Sequence, residues 1–249
     1  MQIVPRIVAS IEARMSASRL PGKVLMDVAG EPALERLVRR LEQARTLDAI
    51  VLATTINPAD DPIAAWAAER RLPCYRGSEE DVLDRVVNAH RMMASDIVVE
   101  ICGDAPLLDP RVIDLAVAKF NEGEFDVVST TQCLTWPQGI DAQVFRLDDL
   151  ASVAETQTDP AIREHVSLYF YENPEIYRIH HLTAPASETS PELRLQMDYP
   201  EDLALIRTIY DRLSPQYGDA FGVPEILSLL TAEPALREIN RHCEEKPVR

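Results

Sequence analysis

The sequence predicts an α/β fold in which a mostly parallel sheet is covered by helices on both faces. Apolar runs rich in valine and isoleucine alternate with helical patterns through the first half of the chain, as expected of a sheet that is buried on both sides. Hydrophobic residues make up 46% and charged residues 27%, an ordinary composition for a globular protein. A chain of 249 residues can bury one large core, so we expect a single domain over residues 1–249.

The first half of the chain alternates regularly. The strand-like apolar runs are 3–11, 49–54, 97–102 and 125–129. The helical patterns between and after them are 32–44, 61–71, 79–94 and 110–122. Pro32, Pro62 and Pro110 each stand near a helix start, where a missing N–H costs little. Asp61 and Asp109, directly before two of these prolines, are predicted to cap their helices.

The second half is less regular. Residues 131–147 are predicted to be extended and rich in turns. The elements predicted after them are helices at 148–155, 160–171 and 201–213 and strands at 176–182 and 193–197. Prolines at 215, 224 and 234 then break the chain into short helices, which predicts a helical C-terminal appendage over 214–249.

Charge and cysteine content exclude several classes of protein. A net charge of −16 argues against a nucleic-acid partner or a membrane-surface protein, because both require a basic face. The apolar runs are too short to span a membrane, and Arg6 and Glu12 interrupt the first run too early for a secretory signal. The four cysteines are widely spaced and show no metal-type pairing, so we expect reduced thiols and a cytoplasmic protein.

The most informative segment is 12–23, which reads EARMSASRLPGK. It follows the first predicted strand directly, and open α/β sheets bind ligands beyond the carboxyl ends of their strands. Arg14, Arg19 and Lys23 supply three cations there, and Ser18 supplies a small donor, a set that suits a polyphosphate. The segment is neither a Walker loop nor a dinucleotide-binding fingerprint, because Gly22 is its only glycine.

Two aspartates are candidate Mg²⁺ ligands. Asp104 follows the apolar run 97–102, and Asp198 follows the run 193–197. A carboxylate at the end of a buried strand is costly unless something binds it, and Mg²⁺ takes one or two carboxylates together with substrate phosphates. Taken alone, Asp198 is more simply interpreted as a helix cap; paired with Asp104 on one rim it becomes a plausible second ligand.

A third group follows a short predicted strand that ends at Arg76. Gly77 allows close backbone approach, and Ser78 precedes a helical pattern, so a ligand there would meet free amides and a hydroxyl. The segment is either a corner that recognises a base or a simple capping turn. Thr54, at the end of another predicted strand, is ambiguous in the same way.

Six motifs occur along the chain in a fixed order. They are AR at 13–14, SRLPGK at 18–23, RGS at 76–78 with VLDR at 82–85, GD at 103–104 with PL at 106–107, REHV at 163–166 and DYPEDL at 198–203. Together they resemble the cytidylyltransferase family that includes spore coat polysaccharide biosynthesis protein F. That family is related to CMP-3-deoxy-manno-octulosonate synthetase and to the acylneuraminate cytidylyltransferases. The resemblance covers residues 3 to about 213.

This resemblance implies a GT-A-like nucleotidyltransferase fold with an inserted dimerisation arm, and we place the inserted acceptor or dimerisation subregion at 131–182. It implies an enzyme in which a sugar hydroxyl attacks the α-phosphate of CTP and releases pyrophosphate. The expected acceptor is an acidic keto sugar of a surface polysaccharide, the expected cofactor is Mg²⁺, and the expected assembly is a homodimer.

The resemblance also implies roles for individual residues, grouped by ligand. The triphosphate would be held by Ala13, Arg14, Ser18, Arg19 and Lys23. The base would lie near Thr54, Arg76, Gly77 and Ser78. The acceptor would lie near Asp141, Gln143 and His165, with the dimer seam as the other interpretation of His165. Asp104 and Asp198 would hold Mg²⁺, and Asp104 would act in catalysis with Arg14 and Lys23.

Three departures from the family pattern keep alternatives open. Glu100 stands where the family usually has an arginine, Gln143 where it has a glutamate, and Gln196-Met197 where it has Thr-Val. An acid at position 100 alters the triphosphate site if its side chain faces inward, while the other two changes suggest an unusual acceptor. The alternatives are transfer of a nucleotide to a non-sugar acceptor, glycosyl transfer on the same fold, and a non-catalytic subunit that binds nucleotide.

Overall fold

A computed structural model describes residues 4–244 of the chain. Within them, seven strands form one sheet in the order β5-β4-β1-β6-β8-β7-β9. The strands are β1 (Ile7–Glu12), β4 (Ala49–Thr55), β5 (Cys74–Gly77), β6 (Ile97–Cys102), β7 (Val127–Ser129), β8 (Gln143–Arg146) and β9 (Ile179–His181). A small hairpin is made by β2 (Asp27–Val28) and β3 (Glu31–Pro32).

The sheet is mostly parallel, as predicted. The central strand β1 runs parallel to β4 and to β6, and β4 runs parallel to β5. Only β8 is antiparallel to its neighbours, β6 and β7. Both faces are buried, since Ala9 and Ile11 belong to one apolar cluster and Val8 to another.

Helices cover both faces of this sheet. They are α1 (Ala33–Leu41), α2 (Asp61–Arg70), α3 (Val82–Met92), α4 (Pro110–Phe120), α5 (Leu147–Thr156), α6 (Pro160–Glu164), α7 (Leu168–Glu172), α8 (Pro200–Tyr217) and α9 (Val223–Ala232). Short 3-10 turns lie at Lys23–Leu25, Pro58–Asp60, Ala186–Glu188 and Pro234–Glu238. Within residues 4–244, no helix is long and apolar enough to cross a membrane.

Several predicted elements need correction. The segment 193–197 is not a strand: Arg194 makes a single bridge to Gln138. The helix predicted at 160–171 is two short helices, because the chain leaves helical geometry at His165. The helix predicted to end at 213 continues through Pro215 to Tyr217, since the prolines near the C-terminus do not break it there.

The predicted caps are partly right. Asp109 caps α4, and its carboxylate also accepts a hydrogen bond from the backbone of Val223. Asp61 is instead the first residue of α2, and its carboxylate pairs with Arg76 at 2.7 Å. The N-terminal strand begins at Ile7 rather than residue 3, which lies outside the described residues, as do residues 245–249 of the predicted appendage. The single-domain assignment over 1–249 stays a prediction.

Candidate active site

The segment after β1 folds into a tight loop beside the carboxyl ends of β1 and β6. Gly22 adopts a left-handed backbone with φ of 73°, which L side chains rarely adopt, and its amide donates to the Met15 carbonyl at 2.9 Å. The amide of Met15 donates to Asp60 Oδ1 at 2.7 Å, which ties the loop to the next strand connection. The Gly103 amide donates to the Glu12 carbonyl at 2.8 Å, so the turn that carries Asp104 lies directly against this loop.

Lys23 lies between the two candidate metal ligands. Its Nζ is 2.5 Å from Asp104 Oδ2 and 2.8 Å from Asp198 Oδ1, which confirms that sequence-distant motifs meet on one rim. Burial opposes the charged form, yet the two carboxylates hold the pKa of Lys23 above its ordinary value. Burial likewise opposes ionisation of Asp198, but Lys23 and Arg19 hold its pKa below its ordinary value.

Asp198 is the centre of a larger ion cluster. Its Oδ2 is 2.8 Å from Arg19 and 2.5 Å from Arg194, and Arg194 also contacts Asp202 at 3.1 Å. The Asp202 carboxylate accepts from the amides of Asp198 and Tyr199, so it fixes the start of α8. Asp198 is therefore not a cap, and Arg194 is a site residue that the sequence reasoning missed. A basic residue inside an otherwise apolar run was the available signal.

A cavity of about 330 Å³ opens beside this cluster. The predicted residues that line it are Ala13, Arg14, Ser18, Arg19, Lys23, Asp104, His165 and Asp198. Arg14 is 40% exposed in its side chain and lies 3.9 Å from Glu164 and 4.0 Å from Glu79. The half-exposed guanidinium of Arg14 and the buried ammonium of Lys23 provide the cationic surroundings that a polyphosphate requires.

Arg85 is a second residue that the sequence reasoning did not place in the site. It is buried and lines the same cavity, and its guanidinium donates to the Ser78 carbonyl. Its Nε has no hydrogen-bond partner among the described residues. A buried donor without a partner is costly, which indicates a position that a ligand completes.

The predicted base corner lies outside this cavity. Arg76 donates to the carbonyls of Thr55 and Asn57, so its side chain stabilises the connection after β4. The hydroxyl of Ser78 accepts from the amide of Asp81, and Asp81 is the residue that caps α3. Thr54 is fully buried in β4, and Gly77 packs closely against Arg85. The base contacts assigned to these four residues therefore stay a prediction. The contacts of Ser78 agree better with the interpretation of this segment as a capping turn.

A second cavity, of about 840 Å³, adjoins the first. All three predicted acceptor residues, Asp141, Gln143 and His165, line it. Residues that line both cavities are Glu12, Cys102, Glu164, His165 and Gln196. The two cavities thus share a wall formed by the end of β1, the end of β6 and the break between α6 and α7.

Glu100 faces this second cavity and not the first. It is buried opposite Gln143 in the β6–β8 register, and Gln143 Nε2 donates to its Oε2 at 2.5 Å. The Tyr171 hydroxyl in turn donates to Gln143 Oε1. Burial and the nearby Glu12 carboxylate raise the pKa of Glu100 well above its ordinary value. Two of the three departures from the family pattern, Glu100 and Gln143, therefore form one hydrogen-bonded pair.

Glu12 lies where the two cavities meet. Its Oε1 is buried and has no hydrogen-bond partner among the described residues. Burial raises the pKa of Glu12 to about 7, although Arg85 opposes the shift. A carboxyl group that titrates near neutrality in a cleft is a candidate acid or base. The sequence analysis did not single out Glu12, which it read only as the first residue of the loop after the first predicted strand.

Asp104 and Asp198 are not equally suited to bind Mg²⁺. Carboxylate oxygens are the ligands that Mg²⁺ prefers, and Asp104 Oδ1 is buried with no partner in residues 4–244. Both oxygens of Asp198 are instead engaged by Lys23, Arg19 and Arg194. Asp104 is the better candidate, and coordination by both aspartates requires Lys23 Nζ to move from between them.

Comparisons with known proteins agree with the fold and the motifs. A family model described as cytidylyltransferase matches residues 8–220. The spore coat polysaccharide biosynthesis protein SpsF of Bacillus subtilis is 32% identical over 230 residues, which are 90% of this chain and 93% of that protein.

Solved structures share the fold. A cytidylyltransferase from Leptospira borgpetersenii superposes with a TM-score of 0.88 at 24% identity, covering 98% of this chain and all of the other. A CMP:2-keto-3-deoxy-manno-octonic acid synthetase in complex with CTP superposes with a TM-score of 0.63 at 19% identity, covering 83% of this chain and 99% of the other.

Proposed function

The chain belongs to the cytidylyltransferase family, and we propose that it transfers CMP from CTP to a sugar hydroxyl with release of pyrophosphate. The observation that carries the proposal is the meeting of Lys23, Asp104 and Asp198 beside a cation-lined cavity. These residues come from three distant segments, and each lies at the same edge of the sheet.

The chain's own cations would hold and neutralise the triphosphate. Arg14, Arg19 and Lys23 line the cavity, and the buried Arg85 beside them has an Nε without a partner among the described residues. In the reaction, the acceptor oxygen forms a bond to the α-phosphorus while the bond to the bridging oxygen of the β-phosphate breaks. Pyrophosphate leaves with added negative charge, so fixed cations near it stabilise the transition state more than the ground state.

We propose Mg²⁺ as the cofactor, held by Asp104 and, once Lys23 turns toward the phosphates, by Asp198. Bound there, Mg²⁺ would supply charge neutralisation to the phosphates and polarise the reacting oxygens. Support comes from the buried Asp104 Oδ1 that has no partner among the described residues.

The acceptor would enter the second cavity, so its hydroxyl would meet the α-phosphate at the shared wall. Glu12, which lines both cavities, would take the proton of that hydroxyl. Its pKa of about 7 fits a base that is partly ionised at neutral pH. His165, which lines both cavities, would position the acceptor against the nucleotide.

Product analysis tests this proposal. The protein is incubated with CTP, Mg²⁺ and a panel of sugars, and the products are identified by mass spectrometry. A CMP-linked product with an equal amount of pyrophosphate supports it. Nucleoside diphosphate as the leaving product would instead indicate glycosyl transfer, and a CMP-linked non-sugar would indicate the other acceptor class. Stable nucleotide binding without any product across the panel would favour a regulatory subunit.

A homodimer and a cytoplasmic location remain part of the proposal. The segment 131–182 contributes Asp141, Gln143 and His165 to the second cavity, which supports its predicted acceptor role. Size-exclusion chromatography with light scattering distinguishes a dimer from a monomer of 27.9 kDa.

A further inference from the structure

Asn240 is a buried polar residue near the C-terminus that contacts the ion cluster around Asp198. It lies in the segment 239–244, which follows the 3-10 turn Pro234–Glu238, and it is 2% exposed. Its Nδ2 donates to Asp202 Oδ1 at 2.8 Å and to the Arg194 carbonyl at 2.9 Å. The family model ends at residue 220, so these contacts connect the site to a part of the chain beyond the matched residues.

Asp202 and Arg194 connect Asn240 to Asp198. Asp202 is fully buried, and its Oδ2 accepts from the Asp198 amide at 2.9 Å. Arg194 lies between the two carboxylates, with its Nε 3.1 Å from Asp202 and its Nη2 2.5 Å from Asp198 Oδ2. Both the backbone and the carboxylate of Asp198 are therefore held by groups that Asn240 contacts.

The backbone that carries Arg194 depends on this amide because it does not belong to a strand. The segment 193–197 makes a single bridge, between Arg194 and Gln138. A buried carbonyl outside a strand ladder needs a donor from elsewhere. A primary amide carries two N–H groups, so Asn240 can donate to the Arg194 carbonyl and to Asp202 at the same time.

The segment 239–244 reaches the same cluster at a second point. The Glu244 carbonyl accepts from Arg19 Nη1 at 3.3 Å and from the Tyr199 hydroxyl at 3.2 Å. Arg19 is in turn 2.8 Å from Asp198 Oδ2 and lines the first cavity. The C-terminal segment thus contacts the partners of Asp198 at both of its ends.

We propose that Asn240 is a positioning residue of the nucleotide site, which fixes the Asp198 carboxylate through Asp202 and Arg194. This role rests on the proposed function, because it takes Asp198 as a ligand of the Mg²⁺ that binds with CTP. Asn240 does not line the first cavity, so it acts through its neighbours and not on the nucleotide. Replacing a residue that orients a metal ligand typically lowers metal affinity or activity about 10- to 100-fold.

The first experiment measures the link between Asn240 and Asp198 without any ligand. Tm is compared for Asn240→Leu, Asp198→Asn and the double variant, since leucine is close to asparagine in shape and has no donor. We expect the double variant to lose less Tm than the sum of the two single losses, because both residues belong to one network. Additive losses would overturn the proposed link.

The matched control is Ser95→Ala. Ser95 is buried, and its Oγ lies 2.8 Å from His90 Nδ1 just before β6, at the opposite edge of the sheet from the cavities. This variant also removes a buried hydrogen bond, but its loss of Tm should add to that of Asp198→Asn.

The second experiment measures the gain in CTP affinity on adding Mg²⁺, by isothermal titration at a temperature at which every variant is folded. We expect Asn240→Leu to lower this gain by about tenfold and Ser95→Ala to leave it unchanged. In the Asp198→Asn background, Asn240→Leu should cause no further loss. An unchanged gain in Asn240→Leu, or an equal loss in both backgrounds, overturns the proposal.

Asn240→Ser keeps one hydroxyl donor and replaces Asn240→Leu in both experiments if the leucine variant does not fold. Its loss of the Mg²⁺-dependent gain should be smaller and in the same direction, and a gain equal to that of the parent chain overturns the proposal. Failure of the parent chain to bind CTP would instead contradict the proposed function, while the comparison of Tm values would still test the link between Asn240 and Asp198.

Discussion

Replacing Asp104 by asparagine separates the role of this carboxylate in metal binding from its role in the fold. The side chain is 14% exposed and accepts from Lys23 Nζ at 2.5 Å, while Lys23 keeps Asp198 at 2.8 Å. The variant loses the charged contact between Lys23 and position 104 and keeps the one between Lys23 and Asp198. This loss should lower the free energy of unfolding by about 1–2 kcal/mol. In a chain of this length, that corresponds to a fall in Tm of about 2–8 °C.

The effect on nucleotide binding has a characteristic form. Without Asp104 the site is more positive, so CTP in the absence of Mg²⁺ should bind Asp104→Asn as well as, or better than, the parent chain. The gain in affinity from added Mg²⁺ should fall by about tenfold or more, because a charged ligand contact of about 1.5–3 kcal/mol is lost. Once an acceptor is known, turnover should fall by about 100-fold or more, which is near 2.7 kcal/mol of transition-state stabilisation.

Isothermal titration of CTP with and without Mg²⁺ measures the affinity difference. The matched control is Asp211→Asn, the same change at an exposed position of α8 remote from both cavities. If Asp104→Asn retained the full Mg²⁺-dependent gain of the parent chain, the assignment of Asp104 as a metal ligand would be wrong.

Three further predictions concern stability. Glu12→Gln should raise the free energy of unfolding at pH 8 by about 1–3 kcal/mol. The pKa of Glu12 rises from 4.5 to about 7 on folding, so the parent chain loses stability as the pH rises through that range, and the glutamine variant does not. Denaturant melts of both proteins at pH 5 and pH 8 should therefore diverge only at the higher pH. Gly103→Ala should cost about 1–3 kcal/mol and weaken CTP binding, since the new Cβ would lie 2.6 Å from the Glu12 carbonyl oxygen; an unchanged Tm would contradict the close approach. Arg40→Met should cost about 3–5 kcal/mol, because this fully buried guanidinium donates to the carbonyls of Leu108 and Phe221 at 2.7 and 2.8 Å; a denaturation midpoint within error of the parent chain would refute it.

The sheet and the cationic rim could be predicted from local patterns. Apolar runs bounded by helical patterns placed β1, β4 and β6 within a few residues, since buried parallel strands must be nearly all apolar. The approach of Lys23 to Asp104 was predictable because the strand ends of a parallel sheet share one edge. Asp198 meets them at the same edge although the segment before it is not a strand. Asp109 as a cap followed from its position before Pro110.

Other features depend on tertiary contacts that no local pattern carries. Arg194 lies in an apolar run that predicts a strand, yet three-dimensional packing turns it toward Asp198 and Asp202. Glu12 was read only as the start of the loop 12–23, because its unusual surroundings come in part from Glu100, on the neighbouring strand but 88 residues along the chain. The hydrogen bonds of Arg76 to the carbonyls after β4 could not be foreseen, because they depend on the course of a loop.

Thermal stabilisation by CTP, UTP, ATP and GTP, each with and without Mg²⁺, shows whether this site binds CTP. A ligand that binds only the native state raises its apparent stability, by about 2.7 kcal/mol at a concentration 100 times the Kd. We predict a shift that is largest for CTP and greater with Mg²⁺ than without it. No shift with any nucleotide, or equal shifts with all four, would contradict the proposal that this site binds CTP.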